Sequence, residues 1–553
     1  MTVSPKATAC RLAAALLSLV TAACGASAPP AAPPPSTDYD ELVALFREFR
    51  DAVTPKIVDG VPDHTDAAMT AEHRAVQAFA RRLDAIDPSG WPIDRQADHL
   101  LVRAEMRAVD FHHRVLRPWR RDPSYYQTVS LSFGPKIAGA FAIPTFPLAD
   151  DAVAPFQATL RAVPRIFDQA RAHLTEVPRD LALIGVRQKR IEVNVYRRIV
   201  EGVAEHHPAL RPDAERARDA AEGFLGWLED VAGRASGASG LGKDDYNWYV
   251  RYVLLVPYTW DEMRLIGERE YERAMMRLKI EEHRNRREPM TEPAATLEEF
   301  ERRREEADAA LVAFLRDERI LTVPDDLVPR RNEGPYVLPA DRDPTSPGPF
   351  DPPIRRHFFR QTEDREPLPL RAHNVPGHLL DTLMRRRDDR PIRGTSRLSH
   401  IDGGRLEGWA YYLEELIEQG GLLADRPKAR EVNYILMAKR AARILPEIMM
   451  HSHDWTFDEA VESMTSRTPY WMDPDDPIAL YDLELYLRQP GLGIGYPIGK
   501  VQFEQLMTDH ARQLGPDFDL TAFHDEFLAA GLIPISLIRW QMTGMDDQVR
   551  FMR

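Results

Sequence analysis

From Asp38 onward, apolar residues return at three- and four-residue steps and seldom alternate. Leu42, Leu45, Phe46 and Phe49 set the pattern, and Leu100, Leu101, Ala104, Met106, Ala108 and Phe111 continue it. That period lines up one face of an α-helix, whereas a half-buried strand would need a period of two. Helix starts are marked as well. Thr259 with Glu262, Thr296 with Glu299, and Thr456 with Glu459 have capping-box spacing, in which side chains satisfy the orphan backbone donors of a first turn. The pattern predicts a mainly α protein with at most a small β-sheet. A chain of 553 residues is long enough for a large core and more than one lobe. Pro289 interrupts a charged helical run, so an N-terminal helical lobe at 38–289 and a C-terminal lobe at 290–553 are expected. Between Val323 and Pro369 prolines are too dense for a long helix; such an irregular stretch usually wraps a cleft or carries function.

The two cysteines place the chain in the cell. Lys6 and Arg11 precede an apolar run, Leu12 to Val20, that is too short to span a bilayer, and Ala22 and Ala23 lead into Cys24. This reads as a lipoprotein signal peptide at 1–23, with Cys24 as the lipid attachment site, although Thr21 stands where such signals usually have Leu. A proline-rich linker at 24–37 would hold the body off the membrane. Cys10 falls in the part removed, so the exported domain folds without disulfides and has no cysteine nucleophile beyond Cys24. The expected location is the cell envelope, on the periplasmic or cell-surface side, with lipid as the only membrane contact. A net charge of −14, without a basic stripe interleaved with aromatics, argues against nucleic acid as a partner.

Chemistry concentrates in two segments. His373 and His378 flank Pro376-Gly377. On an unbroken α-helix, residues five apart point about 140° away from each other, so the two imidazoles meet only if the Pro-Gly pair distorts the backbone. Further on, Glu407-Gly408-Trp409-Ala410 opens a helix closed by Gly420 and Gly421, with Trp409, Leu413 and Leu416 on one side and Glu407, Tyr411, Glu414 and Glu418 on the other. Two histidines and a helical carboxylate form a zinc-type ligand set, and the same residues are also compatible with a hydrogen-bonded loop and a solvated helix face. No phosphate-cradling glycine loop or nucleophile elbow is present.

These segments resemble a bacterial family of unknown function, family 885, whose members are often lipoproteins and are similar to gluzincin zinc metallopeptidases. The family pattern runs His-Glu-x-x-Pro-Gly-His, Glu-Gly-Trp-Ala-x-Tyr-x-Glu, Pro-Gly-x-x-x-x-Tyr-x-x-Gly and Phe-His-Asp. Here it is met by Pro376-Gly377-His378, by Glu407-Gly408-Trp409-Ala410 with Tyr412 and Glu414, by Pro490-Gly491 with Tyr496 and Gly499, and by Phe523-His524-Asp525. Asp122-Pro123-Ser124-Tyr125-Tyr126 also fits. The chain departs from the pattern at Ala372, in place of the first histidine, and at His373, in place of the glutamate. Asp381 stands where the family often has Gln, and Leu485 where it often has Arg.

The resemblance implies an elongated, two-lobed helical body with a deep central cleft. It implies Zn²⁺ held by His378, Glu407 and His373, Glu414 orienting a ligand, and His524 and Tyr496 stabilising an oxyanion. The expected function is a lipid-anchored, metallopeptidase-like hydrolase of a peptide or small amide substrate. The alternative is a catalytically inactive relative that keeps the cleft as a surface ligand-binding site.

Overall fold

A computed structural model describes residues 36–131, 139–329, 350–351 and 354–552. The signal peptide, Cys24 and nearly all of the proline-rich linker lie outside the described residues, as does much of the proline-dense stretch. The described chain is mainly helical. Its one sheet among those residues is a two-stranded antiparallel hairpin in which Ile57 pairs with Pro62 and Val58 with Val61. No described helix is long and apolar enough to cross a membrane.

The periodic residues become the core. Helix Tyr39–Ala52 buries Leu42, Leu45, Phe46 and Phe49, and helix Ile93–Phe111 buries Leu100, Leu101, Ala104, Met106, Ala108 and Phe111. Full capping boxes close on Thr259 with Glu262 and on Thr456 with Glu459. At the third candidate only half forms: Thr296 Oγ1 accepts from the Glu299 N–H, while the Glu299 carboxylate accepts from the N–H of Ala295.

Three apolar cores organise the helices. One unites Asp150–His173, Arg179–His206 and Arg211–Ala232. A second joins Trp260–Arg284 to Pro427–Ala441, Phe457–Arg467 and Pro477–Arg488. The largest draws Tyr39–Ala52 and Ile93–Phe111 together with Gly403–Gln419, Leu492–Leu514 and Leu520–Ala529. Residues on both sides of position 289 therefore share two of the three cores, and the first helices of the chain share the largest with the helix that carries Glu407.

Two helices frame that segment, and they meet backbone to backbone. A methyl group on Gly408 would lie 2.3 Å from the carbonyl carbon of Gly499, and one on Gly499 would lie 2.0 Å from the Gly404 oxygen. Real Cβ atoms never approach so closely, so only glycine permits this crossing of Gly403–Gln419 over Leu492–Leu514. The Glu-Gly-Trp and Tyr-x-x-Gly spacings seen in the sequence are the two halves of this contact.

Candidate metal centre

The backbone from His373 to Leu379 is a π-helical turn containing Pro376. Its hydrogen bonds run from i to i+5, so residues five apart return to nearly the same side. The 140° separation of an α-helix is removed, and the His373 and His378 Nε2 atoms lie 3.0 Å apart. Helix Gly403–Gln419 holds this turn in place: Trp409 Nε1 donates to the Pro376 carbonyl at 3.0 Å, and Gly377 lies against Ala410. The same helix brings Glu407 Oε2 to 3.4 Å from His373 Nε2 and 3.6 Å from His378 Nε2.

The three atoms form a triangle with edges of 3.0, 3.4 and 3.6 Å. Two ligands bonded to one zinc at about 2.0–2.1 Å and spread at the tetrahedral angle lie about 3.3 Å apart. The triangle therefore matches one face of a zinc tetrahedron. Glu407 Oε2 is buried without a hydrogen-bond donor among the described residues, which is costly for an oxygen that no cation satisfies. No other group of three His, Cys, Asp or Glu among the described residues converges in this way. The His378 side chain remains 37% exposed, so the triangle opens to solvent on that side.

The surroundings fix the donors. His373 Nδ1 lies 3.0 Å from Glu414 Oε1, and Arg440 Nε donates to the same oxygen at 2.6 Å. A hydrogen bond from Nδ1 to Glu414 would leave the His373 Nε2 lone pair for the centre. Burial pushes the His373 imidazole down, and the Arg440 charge adds to this, keeping the ring neutral. Burial alone would raise the Glu407 carboxyl; the two imidazoles outweigh it and hold the group well below its ordinary range. Asp381, one turn past His378, is clamped by Arg405 at 2.9 and 3.1 Å and is completely buried.

Tyr496 stacks parallel to the His373 ring, 6.2 Å between centroids, with the Arg443 guanidinium 3.9 Å from its own centroid. Burial raises its phenol, so the hydroxyl stays a donor. His373, His378, Glu407, Glu414 and Tyr496 thus lie together. His524 does not join them. Its Nδ1 lies 2.7 Å from the Ile320 carbonyl and its Nε2 3.2 Å from the Tyr412 hydroxyl, so both ring nitrogens are occupied. It packs on Trp409, which is two residues past Glu407 and so about 200° round the helix from the triangle. Burial pushes its pKa down to about 4, and Asp525 beside it anchors Thr322. The Phe-His-Asp motif ties the end of helix Leu297–Asp317 to the core.

Sequence reasoning missed Arg440, Arg443 and Arg405, which steady Glu414, Tyr496 and Asp381. Each looks like a surface charge on its helix, and only burial of every side of those helices makes it structural. The opposite face of Gly403–Gln419 is likewise closed off, with Tyr411 and Glu414 as buried as Trp409 and Leu413. Arg488 lies off the centre and holds Asp122 at 2.7 Å; Asp122 in turn caps Ser124 of the Asp-Pro-Ser-Tyr-Tyr run.

Two solved structures share this architecture. One is a candidate lipoprotein of unknown function from Shewanella oneidensis, with a TM-score of 0.67 at 15% identity, covering 91% of this chain and 97% of that one. The other is a candidate lipoprotein from Colwellia psychrerythraea, with a TM-score of 0.66 at 14% identity, covering 92% of this chain and 99% of that one. None of the curated proteins matches the chain. The model of the DUF885 family, described as bacterial proteins of unknown function, matches residues 54–542, and the chain belongs to that family.

Proposed function

We propose that this protein is a lipid-anchored hydrolase of peptide or amide bonds in the cell envelope, dependent on one zinc ion held by His373, His378 and Glu407. The observation that carries this reading is the ligand triangle, whose edges match zinc coordination and whose carboxylate oxygen lacks a donor. Zinc held there supplies Lewis-acid polarisation of a carbonyl and activation of water. The protein supplies the rest. Glu414, steadied by Arg440, keeps His373 in the ligating tautomer. Tyr496 offers a protonated hydroxyl beside the triangle, fit to donate to negative charge that develops on a carbonyl oxygen. Envelope anchoring rests on Cys24 and its preceding run, and the description of both structural neighbours as candidate lipoproteins supports it.

A second reading, a binding protein without catalysis, has its own observation. Glu414 and Asp381, beside the triangle, are both held by arginines, and Ala372-His373 replaces the His-Glu pair of the resembled motif, so the motif's glutamate, the expected general base, has no counterpart at its own place. Metal analysis of the detergent-solubilised full chain separates the two. About one zinc per chain, lost in His378→Ala and Glu407→Ala, supports the hydrolase, and a chain that retains none at neutral pH sinks it and supports the second reading. Zinc-dependent cleavage of a peptide library strengthens the hydrolase, and zinc binding without cleavage weakens it. Release of the chain from membranes by Cys24→Ser tests the anchor.

A further inference from the structure

Helix Trp260–Arg284 has two faces. Met263, Gly267, Glu270, Ala274 and Leu278 recur at three- and four-residue steps and are buried. That side is tied to the crossed helices: Glu270 meets Lys500 at 3.1 Å, and Arg277 on its flank meets Glu415 at 2.7 Å. Two positions further along, and so about 200° round the helix, the same spacing returns as Leu265, Arg269, Glu272, Met276 and Ile280. All five are exposed, Leu265 at 68%, Met276 at 56% and Ile280 at 53%. Single exposed apolar residues are ordinary on a protein surface, but three in line on one helix mark a place of contact.

The charges in the middle of the stripe select its partner. Arg269 and Glu272 have opposite sign and lie about one turn apart, and neither has an ion-pair or hydrogen-bond partner among the described residues. A lipid surface would gain nothing from a carboxylate at the centre of the face it buries. A second copy laid antiparallel would use both charges. With a twofold axis passing between Glu270 and Tyr271, Leu265 faces the partner's Met276 and Arg269 faces the partner's Glu272, and symmetry repeats each pair. A slip of about one turn either way sets Arg269 opposite the partner's Arg269 or Glu272 opposite the partner's Glu272, so charge fixes the register. Tyr470 stands beside the far end of the stripe, 49% exposed, with its hydroxyl on Glu282 at 2.7 Å, and offers an aromatic edge to the same contact.

We propose that this face is the contact of a symmetric dimer, in which helix Trp260–Arg284 packs antiparallel on its counterpart in a second copy of the chain. Leu265 and Met276 supply the apolar contacts, and Arg269 with Glu272 sets orientation and register. The helix has 25 residues and is about 37 Å long. One helix pair of that length is a small interface, of the class of transient contacts, so a dissociation constant of about 10–100 µM is expected. The inference does not rest on the metal reading, because none of these residues is a proposed ligand.

Sedimentation of the full chain in a density-matched non-ionic detergent, from about 5 to about 500 µM, tests the proposal, and a reversible monomer–dimer equilibrium is expected. Arg269→Glu and Glu272→Arg should each weaken it about tenfold or more, since each sets like charges against one another twice. The double variant, Arg269→Glu with Glu272→Arg, should return it to within about threefold of the parent. Leu265→Ser should weaken it about tenfold by removing the apolar contact twice. Unfolding temperatures identify any variant that is not folded, and the others then decide. A chain that stays monomeric throughout overturns the proposal and leaves the stripe to lipid or to another protein. A dimer unmoved by the single reversals overturns it as well, as does a double variant that associates no better than either single one.

Discussion

Among the described residues two π-helical turns are rich in histidine, and they put the same local device to different use. In the first, His112–Leu116, His113 Nε2 meets Glu72 at 2.9 Å, and its ring stacks at 4.8 Å on His73, whose own Nε2 meets Asp110 at 2.9 Å. Two imidazoles and two carboxylates sit close together, yet each Nε2 has a separate acid. In the second, His373–Leu379, two imidazoles converge on one carboxylate oxygen, Glu407 Oε2, which has no hydrogen-bond partner among the described residues. The presence of histidines and acids is common to both. What distinguishes a candidate metal centre is that the donors outnumber their private partners and point at one place.

The contrast breaks or sharpens under substitution. The largest effect is expected for Glu407→Ala, which should lower zinc affinity more than about 100-fold, since a ligand matters more than the 10–100-fold typical of its supporting partners. Chelation should then lower the unfolding temperature of the parent chain and leave that of the variant unchanged. Glu414→Gln keeps the triangle but loosens His373, and a loss of about 10–100-fold in zinc affinity, read by competition with a chromophoric chelator, is expected. His113→Ala should cost about 1–3 kcal/mol in denaturant unfolding by stranding the partly buried Glu72, with zinc content unaltered; loss of zinc there would erase the contrast. The smallest effect falls to His73→Ala, whose partly exposed pair with Asp110 should contribute no more than about 1 kcal/mol.

How much of this was legible depended on the kind of signal. Three- and four-residue spacing reads helices such as Tyr39–Ala52 and Ile93–Phe111 directly, because burial of one face is what the spacing records. The convergent trio His373, His378 and Glu407 was also legible, as residue types. The manner of its meeting was not: nothing in His373-Asn374-Val375-Pro376-Gly377-His378 announces an i-to-i+5 turn rather than a kink, since the choice is made by Trp409 and Ala410 packing from another helix. His524 illustrates the opposite error. A histidine in a motif reads as chemistry until the Ile320 carbonyl and the Tyr412 hydroxyl are seen to take both nitrogens. A division at residue 289 follows from a proline in a charged run, but cores are assembled from distant segments, and the largest one spans that point.

The contact between Gly408 and Gly499 has a bearing on how such a protein changes over time. With no side chain between them, the Glu407 helix and the Tyr496 helix behave as a single tile, and one added methyl would act as a wedge that drives the two apart. The proposed chemistry can therefore be extinguished without altering any atom assigned to it. Conversely, the ligands can drift while the tile stays whole, so frame and payload are inherited on separate accounts.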